Sequence, residues 1–271
     1  MQQRFPTPRA IAVYVELGAG SLVVRAEATD ETSVQVEGPR SEEFVVELEG
    51  DQLAVIAPRG RFFSGNEQHR VEIVVPEDSD LATRLGSADT STTGPLGSLR
   101  LKTGSGDIRV DTATGHAVVE SGSGDVLCDR LEGEVRVKSG SGDVELGEVH
   151  GKLGVSTGSG DIVLGVVHDT AVLKTGSGDL DVQRPEGTVQ FSTASGDLRV
   201  ARAHQGSIVA KSASGDVQVG VVEGTPVWTD INTVSGEVSS RLAPTGKPAD
   251  GQPHLEIRAN TVTGDVLLTP A

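Results

Sequence analysis

Apolar and polar residues in the middle of the chain alternate in a pattern that recurs with a nearly constant period. Each repeat contains a Ser-Gly-Asp turn. Successive turn aspartates are 18 residues apart, except for the last two, which are 19 residues apart. These aspartates are Asp107, Asp125, Asp143, Asp161, Asp179, Asp197 and Asp216. A fixed period of this length is the signature of stacked structural units that share one continuous core.

The positions between the turns show how one repeat folds. When the aspartate is counted as position one, positions two, four, seven, eleven and thirteen are apolar in every repeat, as in Ile162, Leu164, Val167, Ala171 and Leu173. Alternation with a period of two indicates β-strands with one buried face. The pattern therefore predicts two strands and a short third segment per coil, with coils stacked about 4.8 Å apart.

This repeat predicts an all-β fold, a single-stranded parallel β-helix or β-solenoid with 18-residue coils. Residues 86–271 are expected to form the solenoid, with a loop near residues 243–253 and residues 255–268 as the last coil. Residues 1–85 carry irregular strand-like runs, which we expect to cap the N-terminal edge. Left-handed hexapeptide helices need aliphatic residues at positions two, eight and fourteen. Positions eight and fourteen are polar here, so a right-handed coil is favoured.

The turn sequence predicts specific roles for its small residues. The glycine before each aspartate indicates a positive φ or a close approach of two backbones. A hydroxyl row precedes each turn, and we expect it to point inward and to bond along the stack. Its members are Thr103, Ser121, Ser139, Thr157, Thr175, Thr193 and Ser212.

Composition narrows the function classes. Hydrophobic residues make up 36% of the chain but aromatic residues only 3%, which predicts a core of small aliphatic layers. The formal net charge of −16 argues against nucleic acid as a partner and leaves cations or basic protein surfaces. No apolar run approaches the roughly 18 residues that span a bilayer, and the N-terminus lacks a secretory pattern. We therefore expect a cytoplasmic protein without direct membrane insertion.

Two rows of side chains are candidates for metal binding. The seven turn aspartates stack at ladder spacing, where neighbouring charges repel by about 1 kcal/mol in water. Hydrogen bonds from N–H groups of the turn would offset this repulsion, and bound Ca²⁺ is the alternative. The second row occupies position eight of five consecutive coils, and consists of Glu132, His150, His168, Glu186 and His204. It is interpreted as a solvated face with weak Glu–His pairing, with Zn²⁺ or another divalent ion as the alternative.

Three segments resemble a known bacterial family. They are Val71–Pro76 (VEIVVP) ahead of the Gly-Ser-Gly-Asp coils, and the closing runs Asn232–Glu237 (NTVSGE) and Asn260–Asp265 (NTVTGD). Together they resemble DUF4097, the "putative adhesin" β-repeat family, over nearly the whole chain. The resemblance implies a parallel β-helix and, by analogy with members fused to membrane segments, surface or envelope-stress roles.

The sequence contains no nucleophile elbow and no metalloprotease motif, and Cys128 lies on an inward row, as expected of a buried structural thiol. We therefore expect a non-catalytic binding or scaffold protein without a cofactor, with an unknown protein partner or self-association. A calcium- or zinc-binding surface module is one alternative. A polysaccharide-active β-helix enzyme is the other, although such enzymes need long side loops that the regular coils lack.

Overall fold

The computed structural model describes residues 1–58, 68–243 and 254–271. Most of the predicted loop near residues 243–253 therefore lies outside the described residues. The chain divides into two compact units, Met1–Arg136 and Val137–Ala271. Apart from a short 3₁₀ helix at Ser41–Glu43, the regular structure of the described residues is β-strand. In this part of the chain no helix is long and apolar enough to cross a membrane.

The first unit contains eleven complete strands and the start of a twelfth. They are β1 (Gln2–Pro6), β2 (Ala12–Glu27), β3 (Glu31–Glu37), β4 (Val45–Glu49), β5 (Gln52–Ile56), β6 (His69–Pro76), β7 (Asp80–Leu96), β8 (Leu99–Thr103), β9 (Ile108–Ala113), β10 (Ala117–Ser121), β11 (Val126–Leu131) and the first residues of β12 (Val135–Ser139).

Parallel coils make up most of this unit. The strand pairs β7–β8, β7–β9, β8–β10 and β9–β11 are all parallel, and most of their register follows the 18-residue period. One edge of β2 pairs with β7, and its other edge pairs with β5 and β6, also in parallel. Residues 12–27 thus form a coil between two later segments of the chain. Antiparallel pairs involve β1, β3 and β4 in the N-terminal region.

The second unit contains the remainder of β12 and the strands that follow it. These are β13 (Val144–Val149), β14 (Leu153–Thr157), β15 (Ile162–Val167), β16 (Ala171–Lys174), β17 (Leu180–Pro185), β18 (Thr188–Ser195), β19 (Leu198–Ala203), β20 (Gly206–Ser214), β21 (Val217–Val221), β22 (Val227–Ser235), β23 (Val238–Ser240), β24 (Leu255–Thr263) and β25 (Val266–Pro270).

Strands β13 to β25 pair in parallel and form two ladders. One ladder runs β13, β15, β17, β19, β21, β25 and β23, and the other runs β14, β16, β18, β20, β24 and β22. The parallel β-solenoid predicted from the repeat is confirmed. At the C-terminal end, the order of the coils in the stack differs from their order in the sequence. Residues 255–270 form the last coil of the sequence, but they stack between residues 206–221 and residues 227–240.

The inward rows pack as the alternation predicts. In the coil that begins at Asp161, Ile162, Leu164 and Val167 are completely buried, and the side chains between them point outward. Aliphatic side chains of successive coils therefore stack into a continuous apolar core within each unit, where their removal from water stabilises the fold.

Close backbone approach explains the glycine of the turn. A Cβ atom on Gly160 would collide with the carbonyl oxygen of Gly142 in the preceding coil, and one on Gly178 would collide with that of Gly160. A positive φ is required at Gly215 but not at these two residues. Any larger residue would push two coils apart and weaken their backbone hydrogen bonds.

Most of the inward hydroxyls bond within their own turns, not along the stack as expected. Thr193 is different, because it donates to the Gly176 carbonyl of the preceding coil at 3.5 Å. Thr157 Oγ1 accepts the N–H of Gly160 at 3.0 Å, and Thr175 Oγ1 accepts that of Gly178 at 2.9 Å. Ser139, at the same position, instead donates its hydroxyl to the Gly142 carbonyl at 2.8 Å. The local bond satisfies a buried polar group at the corner of the coil.

The turn aspartates bond between coils, not within the turn. The Asp161 N–H donates to Asp143 Oδ1 at 2.8 Å, and the Asp179 N–H donates to Asp161 Oδ1 at 2.8 Å. The series continues through Asp197 and Asp216 at 2.7 Å. Each carboxylate therefore accepts the amide of the next aspartate in the stack, and this charge-assisted bond offsets the repulsion along the row.

The hydrogen bonds of the turn aspartates follow the order in which the coils stack at the C-terminal end. The Asp265 N–H donates to Asp216 Oδ1 at 2.7 Å, and the Glu237 N–H donates to Asp265 Oδ1 at 2.8 Å. Asp216 is thus followed in the stack by Asp265 and only then by Glu237.

We predict that Asp161→Ala lowers the free energy of unfolding by about 1–2 kcal/mol, because the Asp179 amide loses its acceptor. Asp161→Asn should cost less, because the amide oxygen still accepts that N–H and one charge is removed from the row. Chemical denaturation of the three proteins in a chelator-containing buffer measures both changes.

Asp181→Ala is a suitable control, since the Asp181 carboxylate accepts a side-chain amide of Gln183, not a backbone N–H. If Asn and Ala at position 161 cost the same, the carboxylate does not act as an acceptor for the next coil.

Candidate functional site

A cluster of imidazole and carboxylate groups lies on an outward face of the second unit. His150 follows β13, His168 follows β15 and Glu186 follows β17, so the three residues occupy the same position in consecutive coils. Backbone hydrogen bonds fix this register. The His168 N–H donates to the Val149 carbonyl at 3.0 Å, and the Glu186 N–H donates to the Val167 carbonyl at 2.8 Å.

The two histidine rings stack on each other. Their centroids are 4.3 Å apart and their planes differ by 15°. Glu148, near the end of β13, faces both rings, because its Oε1 lies 3.2 Å from His150 Nε2 and 3.1 Å from His168 Nε2. Glu148, His150 and His168 therefore bring one potential ligand atom each into a group whose atoms lie within 4.8 Å of one another.

Glu186 lies on the other side of the His168 ring. Its Oε2 is 2.7 Å from His168 Nδ1, whereas its Oε1 is 3.6 Å from Nε of Arg184. Both ring nitrogens of His168 thus face carboxylates. The four side chains of this Glu–His cluster, Glu148, His150, His168 and Glu186, are between 29% and 35% exposed, but the Nε2 atom of His150 is itself buried.

The pKa of His168 is raised above its ordinary value. The main cause is the hydrogen bond to Glu148, and the hydrogen bond and negative charge of Glu186 act in the same direction. Partial burial opposes them by favouring the neutral ring. The geometry thus favours a positive charge at this point of the surface.

Two members of the predicted row are not part of this cluster. Glu132 belongs to the first unit, where its Oε1 lies 2.7 Å from Nε of Arg130. His204 follows β19 and is half-buried, but among the described residues it does not join the ligand group of Glu148, His150 and His168.

The sequence prediction missed Glu148. It compared residues at the same position of successive coils, whereas Glu148 stands two residues before His150 on the same outward face. The strand pairing places Val166 directly beside Glu148 in the next coil. Because valine is short, the His168 side chain can reach back toward Glu148. A search for acidic residues two positions from each histidine would have found it.

The turn aspartates form a separate acidic groove. Asp161, Asp179, Asp197 and Asp216 line a cavity of about 380 Å³ together with neighbouring residues of the same strands. One oxygen of each carboxylate within this series already accepts a backbone N–H, as described above for the stack. These hydrogen bonds give the row a structural role, because they connect successive coils. Calcium binding by the row stays an alternative prediction.

Cys128 is buried in the first unit, as its inward row predicts. Burial, together with the charge of Asp129, raises the pKa of its thiol to about 12. The thiol is therefore protonated near neutral pH and is unsuited to act as a nucleophile or metal ligand.

A family model described as Toastrack DUF4097 matches residues 9–269. No curated protein matches the sequence. A solved "putative adhesin" from Bacteroides fragilis is 12% identical, with 99% of this chain and 96% of that chain covered and a TM-score of 0.41.

Two further structures are similar to the chain at low identity. A "putative lipid binding protein" from Parabacteroides distasonis is 14% identical over 98% of this chain and 96% of that chain, with a TM-score of 0.39. A "putative cell adhesion protein" from Clostridium sporogenes is 11% identical over 100% of this chain and 99% of that chain, with a TM-score of 0.22. At these values the likeness supports no conclusion about a ligand or partner.

The raised pKa of His168 predicts a pH-dependent contribution to stability in metal-free solution. Since the folded state favours the protonated ring, this contribution is fully present below the unfolded-state pKa of about 6.5 and is lost as the pH rises through the folded-state pKa. The difference in unfolding free energy between the parent and His168→Gln should thus be largest at low pH. Because the cluster is partly exposed, it should not exceed about 1 kcal/mol.

A Glu148→Gln, Glu186→Gln double variant provides the control. In this background His168 has lost both carboxylates, so its replacement by glutamine should cause a much smaller pH-dependent change. Denaturation curves between pH 5 and pH 9 in the presence of a chelator measure all four proteins. A His168→Gln effect that is constant across this range contradicts the prediction.

Proposed function

This chain belongs to the Toastrack DUF4097 family, and on that premise we propose that it is a non-catalytic binding protein that self-associates through the end of its β-solenoid. The observation that carries this proposal is the open edge of β22 in the second unit. The cytoplasmic location expected from the sequence remains part of the proposal.

In the part of the chain that the structure describes, the backbone of β22 is paired on one side only. Eight of its nine residues, all except Val234, pair with β24, and among the described residues no strand pairs with its other edge. An unpaired edge presents a row of N–H and C=O groups that can accept a further strand. Natural proteins usually protect such an edge when it has no partner.

Apolar side chains accompany this open backbone. Val234 is 81% exposed, and Trp228, the single tryptophan of the chain, is 49% exposed. Val238 in β23 and Val262 in β24 are also about half exposed. Aromatic residues are rare in this sequence, and an exposed tryptophan on an open edge is typical of a contact surface.

Among the residues that the structure describes, none covers the inward face of the same coil. Val227, Ile231 and Val238 line a groove of about 450 Å³, together with Leu242 and Leu268. In the interior of the stack, such positions are covered by the next coil. A partner that added a strand to β22 would cover this groove in the same way and remove its apolar surface from water.

The sequence of β22 favours a second copy of this chain as the partner. An antiparallel pair of two β22 strands centred on Ile231 places Trp228 opposite Val234 and Asp230 opposite Asn232. Directly opposite residues in an antiparallel pair point to the same face. The pairing thus combines apolar with apolar groups and a carboxylate with an amide, whereas a parallel pair in register would place Asp230 beside Asp230.

Short connections between coils support a non-catalytic role. In the second unit, residues 150–152 and 158–161 are typical of the links between consecutive strands. Active sites of β-helix enzymes depend on longer side loops that place several functional groups around a substrate. A polysaccharide-active enzyme is therefore the less favoured alternative, and a cation-binding module is the second candidate, because of the Glu148–His150–His168 cluster.

We predict a concentration-dependent dimer that Asn232→Asp weakens at least tenfold, since this change places a second carboxylate opposite Asp230 at two points of the symmetric pair. The double variant Asp230→Asn, Asn232→Asp should restore the dimer, because it only exchanges the two partners. Sedimentation equilibrium over a range of concentrations measures the dissociation constants.

Val172→Asp provides a control on an exposed valine of β16, which is paired on both edges. This change should leave the dimer intact. A monomeric parent across the concentration range, or a dimer equally strong in the parent and Asn232→Asp, would overturn self-association through β22.

A further inference from the structure

We propose that Glu148, His150 and His168 bind a divalent transition-metal ion such as Zn²⁺, with Glu186 orienting His168. The site would be additional to the binding role assigned to the β22 edge. Two imidazoles and one carboxylate are a donor set that suits zinc and neighbouring transition metals better than calcium or magnesium, which prefer oxygen ligands alone.

The distances are close to those of a formed site. In tetrahedral zinc coordination with bonds of about 2.0–2.1 Å, neighbouring ligand atoms are roughly 3.3 Å apart. Glu148 Oε1 already lies 3.2 Å and 3.1 Å from Nε2 of His150 and His168. All three ligand atoms lie within 4.8 Å of one another, and binding of one ion requires the two stacked rings to rotate so that both in-plane lone pairs meet it.

Glu186 supplies the support that metal-binding histidines usually have. A histidine ligand donates its second ring N–H to a carboxylate or carbonyl, which fixes its tautomer and its orientation. His168 Nδ1 lies 2.7 Å from Glu186 Oε2, so the Nδ1–H bond selects the tautomer with a lone pair on Nε2. That lone pair lies in the ring plane and points toward Glu148, whereas His150 is stacked on the face of the ring.

This arrangement favours a positive charge between the ligand atoms, which either a second ring proton or a bound cation supplies. In the neutral tautomer, the Nε2 lone pair of His168 faces the Glu148 carboxylate oxygen at 3.1 Å, and two acceptors at this distance repel each other. A divalent ion between them converts the repulsion into two coordination bonds.

The position of the cluster also suits an exchangeable ion. The side chains are about one-third exposed, and three protein ligands leave a fourth position of a tetrahedral ion for water or a group from another molecule. The backbone bonds of His168 and Glu186 to the preceding coil hold the donors at fixed spacing. The site is therefore organised by the stacking of coils, not by a flexible loop.

The test is calorimetric titration of the chelator-stripped protein with ZnCl₂, with CaCl₂ as the comparison ion. We expect one saturable zinc site per chain, little calcium binding at the same concentrations, and a higher melting temperature with zinc. Titration with Co²⁺ should give visible absorption bands of a low-symmetry, four-coordinate site with nitrogen ligands.

Variants separate the ligands from their support. His150→Gln and His168→Gln should each weaken zinc binding by at least a hundredfold, and Glu148→Gln by at least tenfold. Glu186→Gln should weaken it about 10- to 100-fold, as expected when a group that orients a ligand is lost. His204→Gln is the control, because His204 is half-buried and lies outside the cluster. This change should leave the affinity for zinc unchanged.

Circular dichroism and melting curves without metal show whether each variant is folded. A parent that binds no zinc, or zinc binding that survives both His150→Gln and His168→Gln in folded protein, would overturn the proposal. Because these titrations can be repeated on Asn232→Asp, their outcome is independent of self-association through β22.

Discussion

The backbone pairing of one coil with the next is the constraint on which every other feature of this molecule depends. It sets the separation of the coils, and the turn glycines are required because the carbonyl oxygen of the preceding coil leaves no space for a Cβ atom at positions such as Gly160. The turn aspartates extend the same pairing to the exposed corner, where each carboxylate accepts the amide of the next aspartate. A row of like charges thereby becomes part of the hydrogen-bonding network of the fold.

Regular pairing also determines where function can arise. In a uniform stack each outward row repeats similar side chains, so a specific site forms where a row changes its chemistry or where the stack stops. His150 and His168 in adjacent coils, with Glu148 beside them, are an example of the first case. The edge of β22 is an example of the second, since among the described residues no coil covers its backbone and part of its apolar face.

The sequence was sufficient to predict the coils because the relevant contacts recur at a fixed separation. Rows such as Ile162 and Leu180 could be recognised from spacing alone, and the structure pairs these residues directly. The order of the terminal coils could not be predicted in this way. Ile257 in β24 pairs with Ile208 of β20 and with Thr229 of β22, and neither separation along the chain matches the period of the repeat. The candidate site was only partly predicted, because His168 contacts Glu148 diagonally, across the short side chain of Val166.

Hydrogen exchange at the turn aspartates tests the central claim most directly. The side chains of Asp179 and Asp197 are exposed, yet their amide groups donate to carboxylates of the preceding coil. If inter-coil pairing includes the corner, both amides should be protected to nearly the same degree as the amide of Leu180, which donates to the Asp197 carbonyl inside the ladder. Exchange of both amides at the rate of an unstructured exposed turn, while Leu180 remains protected, would contradict this account.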